Sequence, residues 1–106
     1  MAEVVWTEPA LADLDAIADY IAIENPIAAS ELVRRIFNRT EQQLEMHPKS
    51  GRYPPELGKR SRYKELIEPP CRIFYRVDAS HVFIMHVMRS EQLLRAQRLY
   101  GEQSKI

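Results

Sequence analysis

Apolar residues in the first half of the chain recur at spacings of three and four, whereas in the second half they alternate or run together, so helices are expected first and strands afterwards. Leu11, Leu14, Ile17, Ala18 and Ile21 fall on one helical stripe, with Asp13, Asp15 and Asp19 turned away from it. Thr7-Glu8-Pro9 opens this helix with a capping hydroxyl, an acid in the first turn and a proline whose missing amide does no harm there. The helix is expected to reach about Glu24. Asn25-Pro26 repeats the start signal, and Ala29, Leu32, Val33, Ile36, Phe37, Thr40 and Leu44 form a second stripe that His47-Pro48 closes. Arg34, Arg35 and Arg39 lie off that stripe, as solvated cations near Glu31 and Glu41. So short a turn between the helices forces them antiparallel.

Strand signals lie on either side of this hairpin. Val4-Val5-Trp6 is a β-branched and aromatic run before it, and Arg62-Tyr63-Lys64-Glu65-Leu66-Ile67, Cys71 to Val77 and Val82 to Met88 follow it. Glu68-Pro69-Pro70 and Asp78-Ala79-Ser80-His81 separate the last three as turns, which predicts an antiparallel meander. Within the central strand, Ile73, Tyr75 and Val77 share a face and Arg72, Phe74 and Arg76 share the other. Residues 48–61 show no hydrophobic period and are expected to be a loop anchored by Tyr53 and Leu57. Ser90-Glu91 caps a short last helix bearing Leu93, Leu94, Ala96, Gln97 and Tyr100, stopped by Gly101. The expected architecture is one α+β domain over residues 1–106: an N-terminal helical hairpin on a twisted antiparallel β-sheet joined by the N-terminal strand, with a short C-terminal helix.

Fifteen basic and fifteen acidic side chains cancel, so bulk charge supplies no long-range pull toward phosphate, which weighs against a protein built to grip RNA or DNA. The single cysteine, Cys71, has no partner for an internal disulfide and reads as a small buried hydrophobe. His81 in a turn and His86 in a strand lack a matching set of ligands, so neither a metal site nor a cofactor is expected. There is no apolar run of membrane-spanning length and no basic-then-apolar leader, so a cytoplasmic location without membrane attachment is expected.

The order strand, helical hairpin, loop, three-stranded meander and terminal helix, together with Trp6-Thr7-Glu8-Pro9-Ala10-Leu11-Ala12-Asp13-Leu14, Pro48-Lys49-Ser50-Gly51-Arg52 and Arg72-Ile73-Phe74-Tyr75-Arg76-Val77, resembles the RelE/ParE superfamily of type II toxin–antitoxin toxins from about residue 3 to residue 100. The resemblance implies two activities. RelE-like members cleave mRNA in the ribosomal A site without a metal, using sheet lysines and arginines and a tyrosine or arginine near the C-terminus. ParE-like members poison DNA gyrase and keep a long helical hairpin. Both imply a cognate antitoxin whose extended segment wraps the toxin, and an operon repressed by the complex, with operator DNA reached through the antitoxin.

Metal-free RNA cleavage needs a base, cations for the pentavalent phosphate and an acid for the leaving oxygen, all converging on one sheet face. The candidates are Lys64, Arg72 and Arg89, with Tyr75 or Tyr100 as proton donor. Lys64 is similar to the first of two sheet lysines in RelE-like enzymes, but Leu66 stands where the second is found. Arg72 matches the arginine heading the central strand, and Met88-Arg89-Ser90-Glu91 replaces a lysine–arginine pair. These departures, the zero net charge and the long hairpin favour a gyrase-directed toxin. The alternatives are a ribosome-dependent mRNA endonuclease and a non-toxic relic that acts as co-repressor. For the antitoxin's acidic groups the candidates are Arg60, Arg62, Lys64, Arg72 and Arg76, beside an open sheet edge suited to an added strand. Each residue also has a plainer role: Arg72 and Arg76 as partners of Glu65 or Asp78, and Tyr75 as core beside Ile73 and Val77.

Overall fold

A computed structural model describes residues 1–91. Strand β1 (Glu3–Trp6) leads into helices α1 (Glu8–Ala22) and α2 (Pro26–Met46), and strands β2 (Tyr63–Glu68), β3 (Cys71–Asp78) and β4 (His81–Arg89) follow in sequence. Both helices begin where the capping signals place them: the Thr7 hydroxyl accepts from Ala10 N and the Asn25 side chain from Ala28 N. The expected terminal helix and Tyr100 lie outside the described residues.

The sheet has the order β1-β4-β3-β2 and is mixed. The meander β2-β3-β4 is antiparallel as expected, but β1 pairs parallel to β4, from Glu3 against His81 to Trp6 against Ile84. A run of β-formers carries no direction; here direction follows from the connection. The whole hairpin, loop and two further strands intervene, which is the long crossover that a parallel pair requires. Thr7 then fastens the exit of β1, its amide and hydroxyl both donating to Ile84 O at 3.2 and 2.6 Å.

One face of the sheet carries the helices. Ala10, Leu14, Leu32, Ile36 and Leu44 close over Ile73, Tyr75, Val82, Ile84 and Val87, all buried, and Trp6 packs against Phe37 with ring centroids 4.7 Å apart. Two expectations for α1 need correcting. Leu11 sits at the rim, 39% exposed, and Asp13 turns inward to β4 instead of facing water. The opposite sheet face holds a smaller cluster of Tyr63, Phe74 and Met88, onto which the loop lays Leu57. Tyr53, the other expected anchor, stays 39% exposed and carries the Lys64 ammonium 3.8 Å above its ring. Among the described residues, no helix is long and apolar enough to cross a membrane.

Candidate partner-binding cleft

The face of the sheet away from the helices contains a buried ionic network. Glu65 from β2 is wholly buried and accepts from Arg72 Nε of β3 at 2.9 Å and from Arg52 Nε of the loop at 2.6 Å. Arg72 is 5% exposed, and its two terminal nitrogens hold both oxygens of Glu56 at 2.7 Å. Its guanidinium also lies 5.0 Å from the Phe74 ring centroid. These hydrogen bonds, those to Glu56 first, push the Arg72 pKa up against the opposing effect of burial. Backbone pairing of Arg52 with Glu65, through both of their amides, positions the loop over the outer edge of β2. An open cleft of about 620 Å³ remains, lined by Arg52, Pro55, Glu56, Ile67, Arg72 and Ser90.

Among the described residues, the structure does not bring the RNA-cleavage candidates Lys64, Arg72, Arg89 and Tyr75 together. Arg72 faces this cleft, but Lys64 stands opposite Tyr75 and Arg89 opposite Cys71, which places both on the helix side of the sheet. Four residues along the strands and two strand spacings separate Lys64 from Arg89, roughly 13 by 10 Å. Lys64 Nζ donates to Gly51 O at 3.3 Å, and Arg89 pairs with Glu91 at 2.7 Å beside the Tyr20 ring. Tyr75 is fully buried; its hydroxyl accepts from Gly51 N at 2.8 Å, and burial pushes its pKa up. Gly51 is required at this contact, because a Cβ there would lie 2.7 Å from the Glu65 carbonyl oxygen.

The five antitoxin candidates form a band around β2 instead of a single patch. Arg60 and Arg62 are exposed in the loop before it and make no ion pair with a described residue. Lys64 lies on the helix side, and Arg72 and Arg76 lie on the other. Arg76 stacks on Phe83 with its Nε buried and unpartnered, not on Asp78. Arg72 does take Glu65 as its partner, but buried, so the small energy of an exposed pair does not apply. Arg52 and Glu56 were not among the candidates: Arg52 lies in the Pro48-Lys49-Ser50-Gly51-Arg52 motif, whereas Glu56 carries no signal beyond its charge. Nor was Asp13, whose carboxylate accepts from Val87 N at 3.1 Å and lies 3.0 Å from His86 Nδ1.

Among the described residues the cleft is balanced in charge: two guanidinium groups, of Arg52 and Arg72, are matched by the carboxylates of Glu56 and Glu65, and Glu56 occupies the fork of Arg72. The cleft offers an open strand edge at Ile67 flanked by polar groups, which suits an extended peptide.

A helical hairpin on an open four-stranded mixed sheet is the architecture of a small α+β toxin of a toxin–antitoxin system. Residues 4–94 match the family described as the ParE toxin of the type II toxin–antitoxin system parDE, and the chain belongs to that family. A relative named Toxin RelE2, from Caulobacter vibrioides, is 36% identical over 93 residues, covering 88% of this chain and all of that protein. A solved structure described as the chromosomal ParDE TA system from P. aeruginosa superposes with a TM-score of 0.69 at 27% identity, covering 86% of this chain and 98% of the other. The chain is therefore a type II toxin, and an antitoxin is its implied partner.

Proposed function

We propose that this toxin acts in the cytoplasm by binding DNA gyrase and interfering with its cleavage and religation cycle, and that a cognate antitoxin neutralises it. The observation that carries the reading is the dispersal of the candidate cations: Arg72 is held between Glu56 and Glu65, while Lys64 and Arg89 stand on the other face of the sheet. Electrostatic stabilisation of a reacting phosphate requires preorganised donors around one point. Membership of the ParE toxin family supports the same direction. For the antitoxin, the exposed Arg60 and Arg62 just before β2 are suited to acidic groups, and the stretch of edge left open at Ile67, beyond the Arg52–Glu65 pairing, is suited to an added strand. Purified toxin added to gyrase and plasmid is expected to suppress supercoiling and raise the cleaved fraction, with the antitoxin restoring activity. Unchanged supercoiling at large molar excess overturns the proposal.

A further inference from the structure

The chain's zero net charge conceals a strong segregation. Its first 33 residues contain seven acids and neither lysine nor arginine, so every balancing cation lies from Arg34 onward. On the solvent side of α1 and in the turn after it, Asp15, Asp19 and Glu24 are exposed. Asp15 and Asp19 stand one helical turn apart, about 6 Å, where like charges repel, and neither is paired with a described cation. Beside them the tip of the hairpin exposes Tyr20 by 64%, Ile23 by 79% and Ile27 by 71%. A hollow of about 270 Å³ opens there between Tyr20, Ile21, Ile23, Glu24 and Asn25. Arg89 does reach this patch, 5.3 Å from the Tyr20 ring, but its charge is met by Glu91. Large apolar side chains grouped at a tip and rimmed by acids do nothing for the core of this fold, and such a patch marks a contact surface.

We propose that the tip of the hairpin docks the toxin's target, and that its occupant is a basic protein surface that otherwise faces duplex DNA. This rests on the gyrase reading above. A protein that holds duplex DNA must present lysines and arginines to phosphates. Carboxylates on successive turns of α1 meet such a surface with complementary charge, while Tyr20, Ile23 and Ile27 supply the apolar anchors that carry binding energy. The free cations Arg60 and Arg62 lie elsewhere, before the edge strand β2, whereas α1 packs over β4 with β3 between. Target and antitoxin therefore use different surfaces, one acidic and apolar, the other basic.

The test compares the parent toxin with Tyr20→Ser/Ile23→Ser/Ile27→Ser and with Asp15→Asn/Asp19→Asn. Half-maximal inhibition of supercoiling, direct binding to purified gyrase at two salt concentrations, and affinity for the antitoxin are measured on all three. All five positions are exposed, so both variants should fold, and an unchanged melting temperature verifies it. The expectation is that the apolar variant needs about tenfold more protein or worse to inhibit, as loss of an aromatic anchor does. The charge variant should bind gyrase more weakly with a shallower loss on adding salt. Antitoxin affinity should stay within about twofold in both. Parental inhibition by the variants overturns the docking assignment alone, as does an equal loss of antitoxin binding, which would make the tip an antitoxin surface. Absence of inhibition by the parent is the separate result that defeats the gyrase reading and removes this assignment with it.

Discussion

Arg72 keeps its charge at 5% exposure because hydrogen bonds to the carboxylates of Glu56 and Glu65 replace the water it has lost. Such a network is costly to break from one side. Arg72→Leu leaves Glu65 buried with only the half-exposed Arg52 as partner, and is expected to cost about 3–5 kcal/mol in urea unfolding, whereas Arg52→Ala is expected to cost about 1–2 kcal/mol. Similar costs for the two would show that the network is not where stability is concentrated. The alternation of β3 made the facing of Arg72 and its pairing with Glu65 legible in the sequence. Its second acid was not legible, because Glu56 sits in a loop without periodicity, and no pattern reports what a loop folds back upon. Cys71, read as a small hydrophobe, is fully buried, and burial pushes its thiol from 9.0 up to about 11. Tyr75 is shifted upward for the same reason. The folded state thus holds these protons more tightly than the unfolded chain. The corresponding stability is complete below about pH 9 and is lost as pH rises toward 11. Melting temperatures from pH 8 to 11 should fall in that window, and fall less in Cys71→Ala; a flat profile would contradict the assignment.

At the scale of elements, the four residues of β1 are too few to pair the whole of β4, which runs for nine. Beyond Trp6 the exposed edge of β4 is closed from above by α1, where Asp13 takes the Val87 amide that a longer strand would have satisfied. Next to it the register of β3 and β4 shifts between Phe74 and Tyr75, and His86 turns to the same carboxylate. Asp13→Ala should therefore cost about 1–3 kcal/mol, the usual penalty for an orphaned buried amide, and speed hydrogen exchange at Val87 well beyond the change at other β4 amides. Uniform acceleration would mean that Asp13 acts only through global stability. Helix starts, strand runs and both turns of the meander could be read from the sequence because caps and periods are local. The inward turn of Asp13 could not: its partner lies 74 residues away, and helical spacing alone places it among the solvated acids. The parallel pairing of β1 escaped for a related reason, since β-propensity is blind to strand direction.

For the whole molecule, net charge was a poor guide until charges were placed in space. Among the described residues, the exposed acids Asp15, Asp19 and Glu24 at the hairpin and the exposed cations Arg60 and Arg62 before β2 form two patches of opposite sign, so the salt response belongs to each surface and not to the sum. We propose that this toxin occupies a larger enzyme and does not cut RNA, and one preparation of toxin, divided between a gyrase supercoiling reaction and a translating extract in which mRNA 5′ ends are mapped, distinguishes the two. Supercoiling should stop with plasmid left cleaved in the first, and the message should stay unbroken in the second. Codon-linked cuts in the message beside undisturbed gyrase would overturn that reading.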